Sequence, residues 1–204
     1  MTAYRRYLQS HRAVELFAII LLGVAFSRWR RNSADLGFEH LNGTVPYPVI
    51  FLFPLVVSMA TVAALRDPFG ELEPTLSLHP WLWRALLVST SLSLAVGLFS
   101  VGLYDQVKTV EFIVRNLIGM TGAGCLCALA IGPGLAWMPV TIAFMVMYLA
   151  SANASFTSPS FPDVLWQWPL LFPFTFSSWI VALVLGTGIP LYCWKGSRAG
   201  RFWT

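Results

Sequence analysis

Arg115 and Asn116 open a stretch, Glu111–Gly132 (EFIVRNLIGMTGAGCLCALAIG), that is otherwise almost wholly apolar. A lone arginine on a membrane-spanning helix costs roughly 2.5–3.5 kcal/mol on insertion scales, so Arg115 is expected to face protein or water and not lipid. Glu111 lies four residues earlier, on the same helical face, within reach of pairing with it. The competing reading is that Arg115, one turn inside the helix, runs its stem out to the membrane surface. A second polar group is Asp67-Pro68-Phe69-Gly70-Glu71-Leu72-Glu73, three acids around one aromatic. It reads either as a docking loop or as a solvated acidic turn.

The remaining reactive side chains fit no catalytic pattern. His11, His40 and His79 fall in loops or at helix ends, where they cannot supply the paired helix histidines of a membrane haem site. No HExxH-type cluster, membrane Ser–His pair or pair of intramembrane aspartates occurs. Cys125, Cys127 and Cys193 have neither metal-type spacing nor a disulfide framework. Cys125 and Cys127 stand two apart on a helix, so they do not face one another. All three read as small packing residues. Asn153-Ala154-Ser155 fits the N-glycosylation pattern, which is common by chance. No catalytic residue, metal site or cofactor is therefore expected. Glu15 and Glu111, both near helix ends, give only thin support to an ion-driven carrier, which usually buries acids near the midplane.

The elements that must hold these residues are membrane helices. The chain is 57% hydrophobic and only 11% charged, against roughly 25% charged for a soluble domain. Its net charge of +4 sits at the ends and in the first loop, as topology determinants do, and does not signal nucleic-acid binding. The expected fold is all-α, a polytopic single transmembrane domain over 1–204. Its six spans lie near 13–28, 47–65, 83–104, 110–132, 135–152 and 176–194. Residues 4–12 read as a surface helix or a basic tail, and Arg28-Trp29-Arg30-Arg31 argues against a cleaved signal peptide. Pro54 is expected to kink the second span. The Trp81 and Trp83 pair marks re-entry to the interface. Ala85, Ser89, Ser93 and Gly97 make one close-packing ridge on the third span, and Gly124, Ala128 and Gly132 make another on the fourth. The serines could alternatively line a polar path. Pro133-Gly134 should end the fourth span, which reads as the centre of the bundle. Residues 156–175, rich in Pro and Trp but too interrupted to cross, read as a re-entrant or interfacial segment. Ala182, Gly186 and Pro190 share a ridge on the sixth span. Lys and Arg counts favour both termini in the cytoplasm, with Arg28–Arg31 dissenting.

Taken as a layout, the whole chain resembles the membrane subunits of ABC-2-type exporters, in particular the short six-span permeases of actinobacterial operons. The resemblance rests on the possible amphipathic helix YRRYLQSHR, the acidic loop 66–82, the segment before the last span, and Arg115-Asn116 opening a Gly-rich fourth helix. It implies that Asp67, Pro68, Phe69, Glu71 and Glu73 belong to a cytoplasmic coupling loop that docks on a separate ATPase subunit. It also implies an outer re-entrant element at 156–175, a dimer of the whole chain with itself or with a sister permease, and a plasma-membrane location. The chain is somewhat short for that family and its loops are minimal. Export of a hydrophobic or peptide-like compound follows by class analogy alone. Two other readings stand beside it. One is a six-span substrate-binding subunit of a vitamin-type importer, against which the bulky first helix counts. The other is a non-transporting membrane scaffold or immunity protein.

Overall fold

The computed structural model describes residues 18–22, 48–65, 80–102, 107–151, 169 and 176–195. Among them every regular element is helical. Residues 18–22 form a helical piece in which Ile20 is buried. The longer elements are α1 (Pro48–Ala64), α2 (Pro80–Gly102), α3 (Val107–Ile131), α4 (Trp137–Ser151), α5 (Phe176–Gly186) and α6 (Gly188–Lys195). Among the described residues three apolar helical stretches are long enough to cross a membrane: Trp81–Ser100, Val110–Ile131 and Phe176–Lys195, the last comprising α5 and α6. Leu52–Ala64 and Trp137–Met147 are apolar but shorter.

The ends of these helices follow from local chemistry. Pro80 opens α2 at the first helical position, where its missing N–H has no partner to lose. This start brings 80–82, expected in the loop, into the helix. At the far end of α3, Gly132 takes a φ of 87° and its N–H bonds the Ala128 carbonyl at 3.0 Å. A left-handed residue there closes the helix, and glycine adopts that conformation without a Cβ clash. The stop therefore lies at Gly132, one residue before Pro133. After a turn through 133–136, α4 begins at Trp137, two residues later than expected. Pro139 sits in its first turn, where no intrahelical N–H bond is needed. Pro54 lies inside α1, which runs through it unbroken as an element.

The helix over 176–195 is interrupted at Thr187. Pro190 cannot donate to the Gly186 carbonyl four residues back, and its ring crowds that turn. The Thr187 hydroxyl instead caps locally on the Val184 carbonyl at 2.7 Å. The packing face follows a 3.6-residue stripe through Ala182, Leu185, Ile189 and Cys193 and not a four-residue row. Gly188 is buried while Pro190 is exposed, so the expected Ala182–Gly186–Pro190 ridge does not continue past Gly186.

Helix α3 is the centre. It packs against each of the other five helices, and 67% of its apolar window lies inside, compared with 28% for each of the other two spanning stretches. Two glycines set its closest approaches. A Cβ on Gly122 would strike the Leu185–Gly186 backbone, and one on Gly188 would strike the Gly122 carbonyl. A Cβ on Gly124 would come within 2.8 Å of the Val62 side chain. Two residues along a helix is a rotation of about 200°. Gly122 and Gly124 therefore seat the C-terminal helix and α1 on opposite sides of α3.

The third-span ridge lies elsewhere. On α2 the buried residues are Leu87, Val88, Ser91, Ala95 and Phe99. Ser89, Ser93 and Gly97 are exposed, and a Cβ on Gly97 would meet nothing within 4 Å. Ala85, at the start of the repeat, packs against the core, but from Ser89 on the repeat faces away from the other described helices.

Candidate functional site

The first turns of α3 place Glu111, Phe112, Arg115 and Asn116 on the side that meets the start of α5. Arg115 is 0% exposed, so its stem does not run to the surface. Its Nη1 donates to the Ser178 hydroxyl at 2.8 Å, and its Nε points to Asn116 Oδ1 at 3.3 Å. The guanidinium lies over the Phe112 ring, 5.1 Å from the centroid. A cation on an aromatic face gains about 0.5–2 kcal/mol, more where water is excluded. The Glu111 carboxylate, one turn earlier, attracts the same charge and accepts a hydrogen bond from Trp179 Nε1 at 3.0 Å.

Asn116, also 0% exposed, completes the cluster. Its Nδ2 donates to the Pro169 carbonyl at 2.8 Å. The amide thus uses oxygen toward a cation and nitrogen toward a carbonyl, which fixes its orientation chemically. Proline has no N–H, so Pro169 offers only an acceptor to this contact. Three parts of the chain meet here: the start of α3, the first turn of α5 and the buried turn at Pro169.

A second polar tie joins α1 to α3. The Thr121 hydroxyl donates to Ser58 Oγ at 3.0 Å, and Ser58 Oγ donates to the Leu117 carbonyl at 3.4 Å. Both side chains are fully buried. The pairing is not legible in the sequence: α1 carries Ser58 and Thr61 and α3 carries Thr109 and Thr121, and periodicity alone does not match one hydroxyl to another. Glu111, Arg115 and Asn116 stand out in the sequence, but their partners Ser178, Trp179 and Pro169 do not.

Chemically the Arg115 cluster holds one guanidinium in a dry setting and cross-links helices. Among the described residues no group of three His, Cys, Asp or Glu side chains stands close enough to hold a metal ion. Cys125 and Cys193 are buried in the apolar core and Cys127 packs against it, all three as free thiols. Asp67, Pro68, Phe69, Glu71 and Glu73 lie outside the described residues, as do the three histidines. Of the segment 156–175 only Pro169 is described, as a buried turn. Comparison with family profiles, with curated proteins and with solved structures returned no match.

Proposed function

We propose that the chain is the membrane-embedded permease subunit of an ABC-type exporter, non-enzymatic itself and driven by a separate ATPase subunit. In this reading α1, α4 and the helix around Ile20 complete a six-span, plasma-membrane domain with both termini cytoplasmic. It works as a homodimer or with a sister permease. Loop 66–82 carries the ATPase's stroke into α1 and α2, and the cargo is hydrophobic or peptide-like.

The observation that carries the reading is the uneven burial of the spanning helices. Helix α3 is enclosed, while Trp81–Ser100 is only 28% buried and leaves Ser89 and Ser93 facing outward. Hydroxyls at membrane depth are better placed against another helix than against lipid, because close packing and interhelical hydrogen bonds are what join helices there. A chain with such a face is suited to be one subunit of several. The test is a Glu71→Gln/Glu73→Gln variant, tagged and extracted beside the unaltered chain. Loss of a co-purifying nucleotide-binding subunit supports the coupling role. Recovery equal to that of the unaltered chain removes it.

A second reading, a membrane scaffold or immunity protein without transport, draws on the Arg115 cluster. Its hydrogen bonds run within the chain, from α3 to α5 and to Pro169, and a fixed scaffold needs no more than that.

A further inference from the structure

A cavity of about 270 Å³ lies in the seam between α3 and α4. Met120, Ala123 and Cys127 line one wall, Val140 and Ala143 the other, and Pro169 stands beside them. The first three recur at intervals of three and four residues along one stripe of α3. Two sulfurs, the Cys127 thiol and the Met120 thioether, are the side-chain heteroatoms among these six, and both are weak partners for water. A buried water needs two to four polar partners, so this space does not hold one stably. For scale, an engineered apolar cavity of about 150 Å³ stays dry and binds benzene.

Three observations say what enters. First, the seam is not sealed: Ala123, Cys127, Val140 and Ala143 are half-buried and Pro139 is exposed at its rim. Second, Met120–Cys127 occupy the middle of the apolar stretch Val110–Ile131, so the medium at this depth of a bilayer is hydrocarbon. Third, the neighbouring outward residues of α4 are Met138, Ile142, Met145 and Val146, all exposed and apolar. An unfilled gap leaves the lining atoms without dispersion partners. The flexible apolar chain already present at that depth supplies them.

We propose that the seam between α3 and α4 is a binding site for one acyl chain of a bilayer phospholipid, held beside Ala123, Cys127 and Ala143. The site is independent of the exporter reading. Retention comes from packing and not from the hydrophobic effect, because the chain leaves one apolar medium for another.

The test uses the full chain in nanodiscs containing a phosphatidylcholine with a photoactivatable diazirine on its acyl chain. After irradiation, adducts are mapped by peptide mass spectrometry. The expected result is stronger labelling at 120–127 and 139–144 than at the exposed Leu183 and Val184 of α5. Ala143→Phe and Ala123→Leu, which fill the seam, should cut the seam adducts several-fold and leave Leu183 and Val184 unchanged. Seam labelling no stronger than at Leu183 and Val184, or unaltered in filled variants that elute as folded protein, overturns the proposal. Should both variants fail to fold, alkylation of Cys127 in the unaltered chain decides it. N-ethylmaleimide should modify Cys127 several-fold more slowly when phosphatidylcholine is added to the detergent. An equal rate, or full protection without lipid because protein fills the seam, overturns it.

Discussion

A guanidinium with no exposed surface, about two turns inside a helix long enough to cross a membrane, has to find its partners within the protein. Arg115 finds them in Ser178, Asn116 and the face of Phe112. Ser178→Ala removes the shortest of these contacts and leaves a buried cation short of an acceptor. The expected loss is about 1–2 kcal/mol, since bonds to charged groups exceed neutral ones while interhelical bonds in membranes are modest. Unfolding in detergent, followed by tryptophan fluorescence, measures it. Thr90→Ala is the control. That hydroxyl bonds carbonyls of its own helix on an exposed face, so its loss should cost under about 0.5 kcal/mol. Equal effects would mean that the Ser178 contact contributes nothing special. A parallel pair separates charge from hydrogen bonding at Glu111. Glu111→Gln keeps an acceptor for Trp179 and loses the attraction to Arg115, whereas Glu111→Leu loses both and should destabilise more. Glu111, Arg115 and Asn116 were legible in the sequence because polar residues in an apolar run announce themselves. Their partners stand 68, 63 and 53 positions away, a separation on which helical periodicity is silent.

At the scale of helices, the decisive contact is the crossing of α3 with the C-terminal helix at Gly122, Gly186 and Gly188. Gly122→Ala sets a methyl against backbone that cannot turn aside. The helices must part, at a cost on the order of 1–3 kcal/mol. Gly97→Ala on α2 makes the opposite prediction. Nothing lies within 4 Å of the new Cβ, so the change should be neutral or stabilise by up to about 1 kcal/mol through helix propensity. Thermal unfolding of the two variants side by side distinguishes them. If Gly97→Ala destabilises as much as Gly122→Ala, the outward face assigned to α2 is wrong. This pair also shows how far the sequence could be read. The centre at α3, the helix end at Gly132 and the small-residue repeats were legible from composition and spacing, whereas the start of α2 at Pro80, three residues before the expected Trp83, was not. Which repeat would be buried was not. A helix apolar on all sides carries no polarity contrast to say which side faces inward, so Ser89, Ser93 and Gly97 looked as fit for the interior as Gly124 and Ala128. The C-terminal helix gives the same lesson: the Ala182–Gly186–Pro190 row is visible in the sequence, but Gly188 is buried and Pro190 exposed.

For the whole molecule, an enclosed central helix with more exposed apolar neighbours is compatible with insertion in a bilayer. The six-span reading predicts that reporters fused to the two ends act on the same side of the membrane. Reporters on opposite sides would require an odd number of crossings and would detach loop 66–82 from its assigned role. The claim of a permease driven from outside the chain has the most direct test. The tagged, unaltered protein is extracted from its native membrane in a mild detergent, and the co-purifying chains are identified. The account predicts a nucleotide-binding subunit with a Walker A motif in stoichiometric amounts. Recovery of the protein alone, as a stable monomer or homodimer, would contradict it.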